Sequence, residues 1–188
     1  MQHEDLNQST NRQTDAETCR RLLSGTQNGK RDFVRRWQET MYRIAFRIVG
    51  QSTDAEEVRQ SVLLKIFQRP EILPDPENIR GWIHRCVVNE SLTLLRKRKR
   101  QTSVEHFDEI EITSPSEYSD DAKQLQDLLA ELPDETRALL TLRFDENLTV
   151  REIAEVMDTP RSTVHLKLQA AINSLRKQLN PSNSGDKA

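Results

Sequence analysis

Apolar residues recur at spacings of three and four in five segments of this chain, which is the period of an amphipathic helix. Three of these segments lie in the first half, at residues 33–48, 55–67 and 79–94. The other two lie near the end, at residues 150–157 and 164–179. The pattern predicts an all-α fold with two groups of helices.

Local signals mark the ends of the first three predicted helices. Gly50 ends the first, the pair Thr53 and Glu56 has the capping-box spacing that opens the second, and Asn78 can cap the third. Three prolines between residues 70 and 76 predict an irregular loop before the third helix. Three helices that share one aliphatic core are the smallest unit that could fold here.

The two helices near the end are separated by a short breaker. Thr149 and Glu152 repeat the capping-box spacing at the start of the first of them, and residues 158–160 interrupt the pattern. Pro160 suits the first turn of the next helix, with Thr159 as its N-cap. The arrangement is typical of a helix-turn-helix.

The second of these helices is amphipathic. Val164, Leu168 and Leu175 belong to one apolar stripe. The opposite face carries side chains that can hydrogen-bond to phosphates or base edges, namely Arg161, Ser162, His165 and Gln169. A helix of this kind fits the DNA major groove. An ordinary helical hairpin is the alternative interpretation of the same pattern.

Charge is segregated along the chain, although the formal net charge is only −2. Residues 80–100 contain seven basic residues and one acidic residue, and five of the basic residues are consecutive at 96–100. Residues 101–132 contain nine acidic residues and one basic residue. The basic run alone could be a solvated helix end, but together with the helix-turn-helix it favours nucleic acid as a partner.

The acidic stretch at 102–121 is polar and contains few apolar residues, so we expect a flexible linker there. The predicted organisation is two small helical domains joined by this acidic linker. The expected boundaries are a polar tail at 1–17, a first domain at 18–100, the linker at 101–124, a second domain at 125–180 and a polar tail at 181–188.

Several classes of protein are not favoured by the sequence. It contains no run of 18 apolar residues, so we expect no membrane insertion, and its polar start lacks the apolar region of a secretory signal. The two cysteines are isolated, as in a reduced intracellular protein. The four histidines are dispersed, and no glycine-rich phosphate loop or nucleophile elbow is present. We therefore expect no catalytic residues, no metal, no cofactor and a cytoplasmic location.

Specific motifs resemble bacterial sigma factors. Region 2 of these proteins is similar to residues 54–60 (DAEEVRQ), 80–85 (RGWIHR) and 94–100 (LLRKRKR). Region 4 is similar to residues 149–155 (TVREIAE) and 160–164 (PRSTV). The two-module layout resembles the extracytoplasmic-function (ECF) group of the sigma-70 family, whose members bind core RNA polymerase, recognise promoter DNA and promote its melting.

The resemblance implies a polymerase-binding surface on the second helix and contact of the second domain with the polymerase flap. In the family the second helix docks on the clamp helices of the largest polymerase subunit. The residues that would make this contact here are Asp54, Glu56, Glu57, Arg59 and Gln60. These residues are expected on the outer face of the helix.

The resemblance also implies two DNA sites. The loop at 69–77 would capture a base flipped from the −10 element, and the third helix would follow the non-template strand. The −10 residues implied are Arg80, Trp82, Arg85, Asn89, Arg96, Lys97, Arg98, Lys99 and Arg100. The −35 residues implied are Arg161, Ser162, Thr163, His165, Lys167 and Gln169. For Trp82, core packing is favoured over base stacking.

The chain departs from the family pattern along the last helix. Leu166, Gln169 and Ala170 stand where charged residues are common, which predicts weaker and less salt-dependent −35 binding. Asp158 replaces the usual turn glycine, and aspartate reaches positive φ more readily than most residues.

Other functions stay open from the sequence. A helix-turn-helix regulator would bind promoters without polymerase, and an adaptor would bind polymerase without reading DNA. An enzyme is not favoured, because the sequence lacks a phosphate loop, a nucleophile elbow and clustered histidines. An anti-sigma partner is expected only by analogy with the family.

Overall fold

The computed structural model describes residues 14–102, 128–129 and 131–179, and no strand occurs among them. The all-α prediction is therefore confirmed. The helices are α1 (14–23), α2 (Gln27–Val49), α3 (Ser52–Gln68), α4 (Ile79–Thr102), α5 (Asp134–Leu140), α6 (Val150–Met157) and α7 (Arg161–Leu179). Most of the predicted linker and the whole C-terminal tail lie outside the described residues.

Helices α2, α3 and α4 surround the core of the first body. The buried face of α2 repeats at helical spacing, as the sequence predicts, with Phe33, Trp37, Met41, Ile44 and Ile48. Each such side chain contributes about 1.5–3 kcal/mol when it leaves water. Burial of this stripe is what holds the three helices together.

Helix ends agree with the sequence at Gly50 but not at Thr53. Gly50 has φ 81° and its N–H donates to the carbonyl of Phe46, the left-handed C-cap that glycine favours. The predicted capping box of Thr53 and Glu56 is wrong, because α3 already begins at Ser52 and its N-cap, Gln51, makes no side-chain cap bond. The Glu56 carboxylate accepts from Arg59 and Gln60 instead.

The proline-rich loop contains no α-helix. It forms two single 3₁₀ turns, Pro70–Ile72 and Pro76–Asn78, and the Asp75 carboxylate accepts a hydrogen bond from the N–H of Glu77 at the second. Helix α4 begins directly after Asn78.

The prediction of a tail at 1–17 is wrong for its last four residues, which belong to α1. Asp15 and Ala16 are buried, as are Cys19 and Leu22. A side chain at Gly29 would overlap the carbonyl of Arg21, so the glycine permits the close approach of α1 and α2.

The second body contains the predicted helix-turn-helix. Thr149 and Glu152 form a complete capping box at the start of α6, and Asp158 has φ 49° at its end. Helix α7 begins one residue after Pro160, whose carbonyl accepts from the N–H of Val164. The Thr159 hydroxyl donates to the carbonyl of Met157. A π-helical segment, Thr141–Asp145, follows α5.

The two bodies pack against each other. Helix α6 lies against α4, and α5 lies against both α2 and α4. Arg137 crosses this boundary, because its Nε donates to the carbonyl of Ile48 at 2.6 Å. The relative placement of the two bodies was not predictable from either set of motifs.

Candidate polymerase and nucleic-acid interfaces

The outer face of α3 presents four of the five residues expected to bind polymerase. Glu57 and Gln60 are exposed, and Glu56 and Arg59 are half-buried. The hydrogen bond from Gln60 to Glu56 and the neighbouring Arg59 lower the pKa of Glu56. These side chains form one polar surface held by contacts within a single helix.

Asp54 is not on this outer face, so its predicted position is wrong. Its side chain is 1% exposed and pairs with Arg98 of α4. Burial raises the pKa of Asp54, and this effect outweighs the nearby Arg98 charge. Asp54 therefore joins α3 to α4 in the described structure.

The five basic residues at 96–100, at the end of α4, differ in what they contact. Arg98 is half-buried, and its Nη1 donates to Gln51 at 2.9 Å while its Nη2 donates to Asp54. Lys99 Nζ lies 2.7 Å from Asp134 of α5. Arg96, Lys97 and Arg100 are exposed. The run thus combines side chains that join helices with side chains that face solvent.

Arg80 is held by a buried carboxylate that the motifs did not reveal. Its Nε and Nη2 lie 2.9 and 2.7 Å from Asp15 Oδ2, and Arg36 Nη2 lies 2.6 Å from Oδ1. The Asp15 side chain is 2% exposed. The guanidinium carbons of Arg36 and Arg80 lie 5.1 and 5.7 Å from the ring centre of Trp37. In the sequence, Asp15 is marked only by its position four residues before Cys19, which places both on one side of a helix.

Trp82 and Arg85 border a cavity between α4 and α6. Its volume is about 410 Å³, and Glu152 and Glu155 line the opposite side. Trp82 is half-buried and packs against the core. Arg85 donates to the carbonyl of Glu155. Asn89, further along α4, is exposed.

A buried contact fastens α4 to the second body. His84 is fully buried on α4, and its Nε2 lies 3.2 Å from Glu146 Oε2. Arg43 of α2 lies 2.7 Å from the other oxygen of the same carboxylate. Burial alone would raise the pKa of Glu146, but the adjacent His84 and Arg43 side chains lower it below the ordinary value. No sequence motif indicated this group.

The outward face of α7 carries the predicted −35 residues. Arg161, Ser162, His165 and Gln169 are exposed, whereas Thr163 is half-buried. Lys167 is also half-buried, with its Nζ 2.9 Å from Glu135 Oε2 of α5. Leu166 is exposed on the polar side of the helix.

No helix in the described ranges is long and apolar enough to cross a membrane. The same residues contain no group of three or more His, Cys, Asp or Glu side chains placed to hold a metal ion.

Family models match both halves of the chain. Sigma-70 region 2 matches residues 33–101, and sigma-70 region 4 matches residues 122–175. The RNA polymerase sigma factor SigV of Bacillus subtilis is 32% identical over 145 residues, which are 76% of this chain and 86% of SigV. The chain belongs to the sigma-70 family.

This sigma factor is of the ECF type. The ECF RNA polymerase sigma factor SigE of Mycolicibacterium smegmatis is 29% identical over 79% of the chain, which spans 60% of SigE. In fold, the chain resembles the sigma factor RpoE of Bartonella quintana, solved with the anti-sigma factor NepR, with a TM-score of 0.65 and 18% identity over 78% of this chain and 92% of RpoE. It also resembles CnrH, solved with the cytosolic domain of CnrY, with a TM-score of 0.68 and 17% identity over 90% of this chain and 99% of CnrH.

The matched segments of this sigma factor contain all three candidate surfaces. Helix α3 and all but the last residue of α4 lie in the region 2 match, and α6 and the first 15 residues of α7 lie in the region 4 match. Helix α1 lies before the region 2 match, so the family motifs do not include Asp15 and could not predict its contact with Arg80.

Proposed function

We propose that this chain acts in the cytoplasm as the promoter-specificity subunit of RNA polymerase, and that the chemistry of transcription stays with the polymerase. The observation that carries the proposal is the occurrence of sigma-70 regions 2 and 4, in that order, in one chain. Reading two separated promoter elements with two linked modules raises affinity through effective concentration.

The polymerase contact is assigned to the outer face of α3. Glu57 and Gln60 are exposed there, and Glu56 and Arg59 lie beside them. We place this face on the clamp helices of the largest subunit, with region 4 on the flap. Asp54 acts indirectly, because its pairing with Arg98 supports the angle between α3 and α4.

The −10 contact is assigned to α4. Melting exposes a single strand, and a basic groove can hold its phosphates. Exposed Arg96, Lys97 and Arg100 are best placed for this role. Arg85 contacts α6 of the second body, so its contribution requires the two bodies to separate. Arg80 pairs with Asp15 of α1 within the first body, so its contribution requires that pair to open.

The −35 contact is assigned to the outward face of α7. Arg161, Ser162, His165 and Gln169 offer hydrogen-bonding groups suited to the major groove. Because only Arg161 on this face carries a fixed charge, we expect few phosphate contacts and a shallow salt dependence for region 4 alone.

We further propose an anti-sigma partner. One solved structure of similar fold is the sigma factor RpoE in complex with the anti-sigma factor NepR, and another is CnrH in complex with the cytosolic domain of CnrY. Affinity purification of the chain from its host should recover a second small protein at near-equal amount in the absence of polymerase. Recovery of polymerase alone under every growth condition would contradict the proposal of an anti-sigma partner.

Holoenzyme formation tests the main proposal. The purified chain should bind core RNA polymerase. The double variant Glu57→Lys with Gln60→Lys should bind at least about tenfold more weakly, because it replaces one negative and one neutral side chain at the contact with two positive ones. Arg151→Gln, on the exposed side of α6, is the control that should bind normally. A chain that binds promoter DNA but never core polymerase would be a conventional regulator, and one that binds polymerase without affecting DNA selection would be an adaptor.

A further inference from the structure

Leu166 is an apolar side chain on a polar helix face. It is 65% exposed, the highest value among the large hydrophobic side chains that are exposed in the described residues. Val164 and Leu168, two positions before and after it, are buried in the core. The apolar stripe of α7 is therefore complete without Leu166, and packing among the described residues does not account for a leucine at this position.

The neighbours of Leu166 belong to the proposed −35 surface. Ser162 and Gln169 lie one turn away on the same side of the helix, and both are exposed. Lys167, the adjacent cation, is directed to Glu135 of α5. An exposed leucine gains free energy only when a partner removes it from water.

The charge around Leu166 favours a polyanion as that partner. Residues 161–170 contain no acidic residue, and Arg161 is their exposed cation, since Lys167 pairs with Glu135. In the DNA major groove, the one apolar group on a base edge is the 5-methyl group of thymine. Duplex DNA thus offers a match both to the charge of this surface and to the leucine side chain.

We propose that Leu166 contacts the 5-methyl group of a thymine in the −35 element and so selects an A·T pair at that position. Gln169, one turn further on, can bond to N6 and N7 of adenine, which favours A·T pairs in the same part of the groove. The inference rests on the proposed function of α7 in −35 binding, and it adds which base pair α7 prefers at one position.

Deoxyuridine tests this contact because it differs from thymidine only by the missing methyl group. Holoenzyme assembled from core polymerase and the full chain is first used to select a promoter fragment from a random duplex library. Each thymine of the −35 element is then replaced singly by deoxyuridine, and the affinity of holoenzyme for each duplex is measured. For the wild-type chain we expect one position at which binding weakens about three- to fourfold, the effect of losing one buried methyl group.

Two variants test whether Leu166 causes the weaker binding to the deoxyuridine duplex. With Leu166→Ala the deoxyuridine penalty at that position should disappear, and unchanged circular dichroism would confirm that α7 is intact. Leu23→Ala removes another exposed leucine, which lies on α1, and should keep the wild-type penalty.

Four results would overturn the inference. They are an equal affinity for every deoxyuridine duplex, an unchanged penalty with Leu166→Ala, a selected −35 element made only of G·C pairs, and a Leu166→Ala chain that binds DNA normally but loses a protein partner. In all four, selection of a promoter by holoenzyme leaves the proposed function standing. Failure of the wild-type holoenzyme to select any sequence would instead contradict the proposed function and this inference together.

Discussion

His84 of α4 faces Glu146 of the second body across 3.2 Å, and both side chains are almost completely buried. The contact joins the helix assigned to the −10 strand to the body that carries the helix-turn-helix. Arg43 and Arg137 add further bonds across the same boundary. The described arrangement is therefore closed, with α6 against the part of α4 that contains Arg85.

We expect Glu146→Gln to weaken this closed arrangement. The substitution removes the negative charge that His84 and Arg43 share, which should cost on the order of 1–2 kcal/mol of docking free energy. Dyes on α3 and α7 should report a larger mean distance by energy transfer. Glu155→Gln removes an exposed carboxylate that pairs within α6, so it serves as the control. An unchanged distance in Glu146→Gln would show that the carboxylate does not hold the bodies together.

Asp15→Asn tests the role of α1. Asp15 is buried between Arg36 and Arg80, so neutralising it leaves two guanidinium groups without their counter-charge. We expect a loss of about 2–3 kcal/mol in the free energy of unfolding, measured in urea. Glu17→Gln, which removes an exposed partner of Arg21, should change stability by less than about 0.5 kcal/mol. Equal stability of the two variants would refute the structural role of Asp15.

Within the basic run at 96–100, we expect some residues to bind DNA phosphates and others to stabilise the fold. Replacing Arg96, Lys97 and Arg100 together with glutamine removes three proposed phosphate contacts. The slope of log affinity against log salt for holoenzyme on promoter DNA should become shallower by about 2.

Arg98→Gln is the matched comparison within that run. It leaves buried Asp54 without its partner, so we expect a loss of about 1–2 kcal/mol in unfolding free energy and little change in the salt slope. A salt slope as shallow for Arg98→Gln as for the triple variant would contradict the division of the run.

Burial raises the pKa of the Cys86 thiol to about 11. Since the thiolate is the reactive form, Cys86 in the native chain should react with a thiol reagent at pH 8 roughly two orders of magnitude more slowly than in the unfolded chain. Reactivity should rise with pH up to that pKa. Cys19→Ala isolates the signal of Cys86, and equally fast reaction of native and unfolded protein would contradict the expected protection.

Features that depend on a few neighbouring residues could be predicted from the sequence. The capping box of Thr149 and Glu152, the end of α2 at Gly50 and the tolerated positive φ of Asp158 all follow from local chemistry. Family motifs then added the order of the two regions.

Contacts between distant residues could not be predicted in this way. The pairing of Asp54 with Arg98, of Asp15 with Arg80 and of Glu146 with His84 depends on how helices pack, and charge patterns on one helix do not encode it. The sequence places Asp54 on the polar outer face of α3 with Glu56 and Glu57, whereas the fold directs it toward α4.

Run-off transcription with purified components tests the central claim most directly. Core polymerase with the wild-type chain should start transcription at one site on a fragment selected by the holoenzyme, and core polymerase alone should not. The same reaction with the triple variant of Arg96, Lys97 and Arg100 should produce fewer transcripts from the same start. Transcription that never depends on the chain, on any genomic fragment, would contradict its assignment as a promoter-specificity subunit.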